Sequence, residues 1–310
     1  MEKNTTSQIH STLPLEGERG GGLRFAIIGA GNIGSALAFG LAQSKLVRTE
    51  DISISNTHPE KLERIRAFDP AIRTTTDNRE CIDGADVVVL AMKPWRLQEA
   101  AEQLKPWLDY DHQIVASMVG GVGLKDLQDI FRKEAPYNPP VGDEQSGHTT
   151  PPAGGPRGAT LPALYYLIPN TAIAARQSMT FLSSVGATKE QDEALLAVFK
   201  ELGDAMLVEE RLMNAGLVLA SCGIAYALRY IRANTQGGVL LGFTPADAQR
   251  IVAQTMKGAA SLLSTDHSHP EAEIDKVTTP AGLTIRGLNA MERNGFTTSI
   301  IEGLMASIPK

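Results

Sequence analysis

The stretch FAIIGAGNIG, Phe25–Gly34, decides the fold of this 310-residue chain. Four apolar residues, Phe25–Ile28, precede the spacing G-x-G-x-x-G, and a segment with a helical pattern, Ser35–Ser44, follows it. A buried strand that turns through glycines directly into a helix is typical of the first unit of a dinucleotide-binding fold. The glycine spacing alone is common, and the apolar strand before it makes the interpretation specific.

Each glycine of this loop has a separate predicted role. Gly29 permits the tight turn, Gly31 lets a pyrophosphate approach the backbone, and Gly34 permits close packing of helix on strand. The helix N-terminus adds amide donors and the positive end of a dipole. The alternative is a glycine-rich turn without a ligand. The residues predicted to bind a cofactor here are Gly29, Ala30, Gly31, Asn32, Ile33 and Gly34.

Short apolar runs alternate with helical patterns over the first two thirds of the chain. This alternation predicts an α/β fold, a doubly wound parallel sheet of the Rossmann type with helices on both faces. The predicted strands after the first are Ile52–Ser55, Val87–Leu90, Gln113–Ser117, Ala163–Ile168, Met179–Leu182 and Ala205–Glu209. The predicted helices are Pro59–Phe68, Leu97–Leu104, Leu124–Phe131 and Lys189–Leu202.

The pattern changes near residue 210, where strand signals stop and long helical patterns begin. Met213–Leu228 is nearly uncharged, which predicts burial on every side, and in so small a domain this indicates a partner subunit. A membrane span is disfavoured because the run is shorter than ~18 residues and Arg229 follows it. We therefore predict a disordered tail (1–22), a nucleotide-binding domain (23–210) with a Pro/Gly-rich surface insertion (134–160), and an all-helical domain (211–310).

Composition excludes several classes of function. A net charge of −6 argues against a nucleic-acid partner, which normally meets a basic surface. The two cysteines, Cys81 and Cys222, lie far apart in apolar surroundings, and no metal-ligand spacing occurs, so neither a disulfide framework nor a metal is expected. The N-terminus lacks the apolar run of a secretory signal, and the cytoplasm is the expected location.

Residues after two further strands bear on the cofactor. The second strand ends in Ser55, Asn56, Thr57 and His58, without the acid that binds the ribose hydroxyls of NAD. Hydroxyl and amide donors accept a 2′-phosphate, so NADPH is expected, with NADH as the alternative. The segment Ala91, Met92, Lys93, Pro94 follows the predicted strand Val87–Leu90, and there we expect backbone contact with the cofactor rather than catalysis by the lysine side chain.

Six blocks of sequence together resemble the pyrroline-5-carboxylate reductases. The first block is shared by many dehydrogenases, whereas its combination with the C-terminal blocks is specific to this family. The blocks are Phe25–Leu41, Ala85–Pro94, Leu167–Ala172, Ser221–Ile231, Gly242–Leu263 and His269–Phe296. The resemblance implies reduction of Δ1-pyrroline-5-carboxylate, a cyclic imine carboxylate, to L-proline by NAD(P)H. It also implies a homodimer built on interleaved C-terminal helices, with larger rings in some members.

The resemblance also implies roles for individual residues. Asn78 and Gly120 match cofactor contacts, and Asn56 and Thr57 match the region that meets the 2′-phosphate. The loop Thr279–Thr284 matches a family loop whose amides bind the substrate carboxylate, so Thr279, Gly282, Leu283 and Thr284 are the expected substrate residues. Thr284 is the candidate catalytic residue, because the matching threonine donates to the ring nitrogen. A helix N-cap is its alternative role.

This chain departs from the family pattern in places. Ala281 replaces a glycine of the substrate loop, Leu283 replaces a small or polar residue, and Ser221-Cys222 stands within a motif that usually carries two serines and a proline. Two other functions remain open. One is a different NADP-dependent imine or hydroxyacid oxidoreductase, although the first long C-terminal helix lacks the usual catalytic lysine. The other is a non-catalytic NADPH-binding module. His269 is expected to cap a helix rather than act as an acid.

Overall fold

The computed structural model describes residues 22–133, 160–266 and 268–309. The chain divides into two compact units, residues 1–213 and 214–310. The division falls three residues after the boundary expected from the sequence. The predicted tail (1–22) and insertion (134–160) lie, apart from Gly22 and Thr160, outside the described residues.

The first unit contains one eight-stranded sheet in the order β3-β2-β1-β4-β5-β6-β7-β8. All neighbouring strands pair in parallel except β6 and β7, which pair antiparallel. The strands are β1 Phe25–Ile28, β2 Ile52–Ser55, β3 Arg73–Thr75, β4 Val87–Leu90, β5 Ile114–Ser117, β6 Ala163–Ile168, β7 Ser178–Val185 and β8 Gly203–Leu207. The predicted doubly wound architecture is therefore confirmed.

Helices flank this sheet, and the hydrophobic core includes residues of every strand except β3. The helices are α1 Asn32–Ala42, α2 Glu60–Phe68, α3 Asn78–Ile82, α4 Leu97–Leu104, α5 Leu124–Phe131 and α6 Lys189–Glu201. Phe25, Ile27 and Val89 are buried with Leu37 and Leu41 from α1. Strands buried on both faces explain why β1 and β4 read as unbroken apolar runs.

Sequence patterns missed β3 and α3 and shifted several boundaries. β3 reads Arg-Thr-Thr and carries no apolar run, because it pairs at the edge of the sheet beside β2. α3 has only five residues, too few for a helical period to show. The first helix begins at Asn32, three residues before the predicted start, and β8 begins at Gly203, two residues before its predicted start.

The second unit is entirely helical within the described residues. Its helices are α7 Met213–Gly216, a π-helical segment Leu217–Cys222, α8 Gly223–Leu240, α9 Pro245–Asp266, α10 Pro270–Lys276, α11 Leu283–Arg293 and α12 Phe296–Ala306. α9 begins directly after Thr244, whose side-chain oxygen accepts a hydrogen bond from the Asp247 amide at 3.2 Å. His269 also caps its helix, accepting from the Glu271 amide through Nδ1.

The long apolar helix differs from its prediction in two ways. The helix extends through Arg229 to Leu240, well beyond the apolar run Met213–Leu228 from which it was predicted. Among the described residues, Glu210–Leu240 is the one helix that satisfies the length and hydropathy of a membrane span, a criterion that core helices of other proteins also satisfy. One chain alone does not bury it, because Leu219 is 62% and Leu228 59% exposed.

We predict that Gly34→Ala destabilises the first unit by about 3 kcal/mol, since overpacking a dense core is costly. A Cβ at Gly34 would lie 2.0 Å from the Gly29 carbonyl oxygen, and these backbone groups cannot separate without opening the β1–α1 turn. Urea unfolding followed by circular dichroism measures the loss. Gly31→Ala is the matched control, because no atom lies within 4 Å of its Cβ position. Equal stability of the two variants would contradict the prediction.

Candidate functional site

A cleft of about 780 Å³ lies at the carboxyl ends of β1, β2, β4 and β5. The strand order reverses direction between β1 and β4, and ligands of doubly wound sheets bind at such a switch point. The cleft brings together twelve residues that the sequence predicted as cofactor contacts. These are Gly29, Gly31, Asn32, Ile33, Asn56, Thr57, Asn78, Ala91, Met92, Lys93, Pro94 and Gly120.

The three motif glycines occupy three different environments. Gly29 has φ +117°, and a Cβ there would lie 2.4 Å from the Ala91 carbonyl oxygen. Gly34 lies against the Gly29 carbonyl and does not line the cleft, which agrees with a packing role. Gly31 has no neighbouring atom within 4 Å of its Cβ position and lines the cleft. The space beside Gly31 is therefore open to a ligand.

Asn56 holds the end of β2 against the glycine loop. Its Oδ1 accepts a hydrogen bond from the Ala30 amide at 3.2 Å, and its Nδ2 donates to the His58 carbonyl at 3.1 Å. Ala30 does not line the cleft, so this bond fixes the loop instead of contacting a ligand. Beside it, the Ser55 hydroxyl donates to Asn78 Oδ1 at 2.7 Å, which leaves the Asn78 amide nitrogen as a donor.

Two cationic side chains that were not predicted from the sequence also line the cleft. Lys61, in the first turn of α2, and Arg96 join Lys93, while Glu99 is the one carboxylate among the described lining residues. Lys61 stands six residues after the end of β2, and only the packing of α2 on the sheet shows that it faces the cleft. A surplus of positive charge beside Asn56 and Thr57 suits a phosphate group.

Cys81 lies near this region but takes no part in chemistry. Its side chain is completely buried, and this burial raises the pKa of the thiol to about 12. The thiol therefore stays protonated at neutral pH and is a poor nucleophile. Its sulfur donates to the Ile27 carbonyl at 3.8 Å, which indicates a packing role.

The second candidate region is the loop Thr279–Gly282 and the start of α11. The Gly282 amide donates to the Thr279 carbonyl at 2.9 Å, and Ala281 has φ +57°. With Pro280 at its second position, this is a type II turn, which needs a positive φ at its third position. The Gly282 amide is thus used within the turn. It is therefore not available to a carboxylate, whereas the family resemblance had implied that it would bind one.

The start of α11 leaves donors available. Gly282 is the N-cap, with φ −67° and ψ 173°, and Leu283 and Thr284 are the first two helical residues. Their amides have no acceptor within the helix, because the first amides of any helix lack one. Thr284 is not the N-cap, so the alternative role considered for it is wrong. Its exposed hydroxyl makes no hydrogen bond within the described residues, and Thr279 and Leu283 are exposed beside it.

The fold and cleft define a Rossmann-type, dinucleotide-binding oxidoreductase with a helical C-terminal unit. Residues 24–120 match the model of the coenzyme F420-dependent NADP oxidoreductases, and residues 210–310 match that of pyrroline-5-carboxylate reductase dimerisation. Pyrroline-5-carboxylate reductase 2 of Dictyostelium discoideum is 31% identical over 92% of this chain and 91% of its own length. The chain belongs to the pyrroline-5-carboxylate reductase family.

Other relatives agree with this assignment. Pyrroline-5-carboxylate reductase 1 of Dictyostelium discoideum is 33% identical over 92% of this chain, which spans only 48% of that longer protein. The crystal structure of the Streptococcus pyogenes enzyme has a TM-score of 0.71 and 26% identity, covering 93% of this chain and 97% of its own. A Coxiella burnetii reductase, 23% identical, shares the fold with a TM-score of 0.75, covering 92% and 96%.

We predict that Gly31→Ala weakens NADPH binding by about tenfold or more while leaving the fold intact. The added methyl group meets no protein atom and instead occupies the space where a pyrophosphate would approach the backbone. Fluorescence titration with NADPH measures the dissociation constant, and the unfolding midpoint serves as the control. Unchanged affinity would show that the cofactor does not approach Gly31.

Proposed function

We propose that this protein reduces Δ1-pyrroline-5-carboxylate to L-proline with NADPH, the last step of proline biosynthesis. Family membership is the observation that carries the proposal. The presence in one chain of a dinucleotide cleft and of a helix start with available amides supports it. The direct test is NADPH oxidation by the purified protein with pyrroline-5-carboxylate, followed at 340 nm. No turnover at millimolar substrate would overturn the proposal.

The residues of the cleft fit NADPH. Open space at Gly31 and the amides at the start of α1 suit a pyrophosphate, and Asn56, Thr57 and Lys61 supply donors and charge for a 2′-phosphate. NADH remains an alternative cofactor because no described residue there excludes it sterically. When bound, the cofactor supplies a hydride to the imine carbon.

We predict that Asn56→Asp weakens the preference for NADPH, lowering the NADPH to NADH ratio of kcat/KM by about tenfold or more, because a carboxylate repels a 2′-phosphate. The Ala30 amide can still donate to the new side chain, so the loop keeps its anchor. Lys61→Gln should lower the same ratio by removing an attractive charge. Gln177→Glu adds equal charge at an exposed position outside the cleft and should leave the ratio unchanged.

The start of α11 is proposed to hold the substrate. The amides of Leu283 and Thr284 bind its carboxylate, where the helix dipole favours negative charge. The Thr284 hydroxyl bonds to the ring nitrogen and orients the imine face, and Thr279 completes the loop. A cyclic imine can acquire its proton in water before binding, so a strong acid in the site is unnecessary.

We predict that Thr284→Ala lowers kcat about 10- to 100-fold, the scale expected for a lost hydrogen bond to a reacting group. Stability should change little, because the hydroxyl makes no bond within the described residues. Thr298→Ala is a matched control, since Thr298 is also an exposed residue in the first turn of a C-terminal helix and its hydroxyl also makes no hydrogen bond within the described residues. Steady-state kinetics and thermal unfolding decide the matter. Equal turnover of the two variants would remove Thr284 from the mechanism.

Two alternative functions are separated by the same assay. Hydroxyacid dehydrogenases place a catalytic lysine on the first long helix of the second domain, and Met213–Leu240 contains none. Turnover of a hydroxyacid with NADP and none of the imine would favour that class. Binding of NADPH without turnover of either would favour a binding module.

We further propose a homodimer assembled through the C-terminal helices, which can associate into a larger ring, and a cytoplasmic location without membrane attachment. The family's dimerisation model covers residues 210–310, and exposed apolar side chains of that unit, including Leu219, Leu228 and Met305, support the assembly. Sedimentation velocity should give at least twice the mass of one chain. A monomer at micromolar concentration would contradict the dimer.

A further inference from the structure

Arg286 forms two hydrogen bonds to the substrate loop, and the proposed mechanism assigns this residue no role. Its Nη2 donates to the Ala281 carbonyl oxygen at 3.0 Å, and its Nε donates to the Gly282 carbonyl oxygen at 3.3 Å. The side chain is exposed and forms no ion pair with the described residues. Both contacts of its planar, forked guanidinium are therefore to consecutive carbonyl groups of one turn.

The position of Arg286 does not serve helix stability. It is the fourth residue of α11, in a first turn that contains no acid. A cation near the positive end of a helix dipole is unfavourable by about 0.3–1 kcal/mol. The unfavourable position must be offset by another interaction, and the two hydrogen bonds to carbonyl groups provide it.

The turn that Arg286 contacts is strained. Ala281 holds φ +57°, a left-handed conformation that costs a residue with a Cβ about 1–2 kcal/mol. Gly282 cannot be replaced without a clash, because its Cβ would lie 2.5 Å from Thr279 Oγ1. A turn with alanine at this position therefore needs an external contact to stay closed, whereas glycine would adopt it freely.

Fixing these carbonyl groups also fixes amide directions. In a trans peptide the N–H group points opposite to the C=O group. The bond from Arg286 to the Gly282 carbonyl therefore sets the direction of the Leu283 amide, which is one of the free donors at the start of α11. We propose that Arg286 is a positioning residue that clamps the Thr279–Gly282 turn and thereby orients the amides that bind the substrate carboxylate. The inference rests on the proposed function of this loop.

Steady-state kinetics at saturating NADPH test the clamp. Arg286→Gln should raise KM for pyrroline-5-carboxylate about tenfold and change kcat by less than about threefold, because binding and not the reacting groups is affected. Arg286→Lys keeps the charge but lacks the planar fork, so most of the defect should remain. Arg293→Gln, in the last turn of the same helix, should leave KM unchanged. Full rescue by lysine would reduce Arg286 to a source of charge and overturn the clamp.

A double variant gives the sharpest readout. In Ala281→Gly the turn adopts its conformation without help, so adding Arg286→Gln should raise KM by less than about threefold. The two effects on KM would then be strongly coupled. A defect of equal size in both backgrounds, or an unchanged KM in Arg286→Gln, would overturn the proposal.

Hydrogen exchange separates a failure of the clamp from a failure of the proposed function. The Gly282 amide, bonded to the Thr279 carbonyl, should exchange about tenfold faster in Arg286→Gln than in the wild type, and the difference should vanish in the Ala281→Gly background. This readout needs no substrate. If the wild type does not turn over pyrroline-5-carboxylate, the function fails and exchange alone decides the clamp. Faster exchange without a change in KM would overturn the positioning role.

Discussion

The close approach of three backbone segments at the centre of the sheet is the constraint on which the nucleotide-binding unit depends. Gly29 turns within van der Waals range of the Ala91 carbonyl, and Gly34 packs on Gly29 itself. No residue with a Cβ fits either place without displacing backbone. This contact fixes α1 against β1 and β4, and it places the amides at the start of α1 above the strand ends where the cleft opens. The same tight packing therefore creates the place where a pyrophosphate can bind.

The two candidate regions use the same physics in different ways. At α1 the helix start faces an open space beside Gly31, and polar side chains such as Asn56 hold the loop. At α11 a strained turn precedes the helix, and an arginine holds its carbonyl groups. Both offer amides without helical partners to an anion. The proposed function assigns the anionic cofactor to the first of these helix starts and the anionic substrate to the second.

Sequence reasoning located most of the cleft but not all of its chemistry. Twelve predicted cofactor residues line it, because each follows a strand of a parallel sheet and such ends meet at one edge. Ala30 and Gly34 act behind the cleft. Lys61 was not predicted, because its position in the cleft depends on how α2 packs. β3 was not predicted either, because an edge strand of polar residues has no apolar pattern. The predicted burial of the long C-terminal helix is not met in one chain, since that helix belongs to a family unit for dimerisation.

The sequence by itself determined the alternation of most strands and helices, the glycine loop, the likeness to a reductase family and the Pro/Gly break that precedes Thr284. These follow from local patterns of apolar residues, glycine and proline. Only the tertiary structure decided that the Gly282 amide is consumed within its turn, that Thr284 stands inside the helix and not at its cap, and that Arg286 holds the turn. Such facts depend on backbone angles and on bonds between peptide groups, and residue identities alone do not specify them.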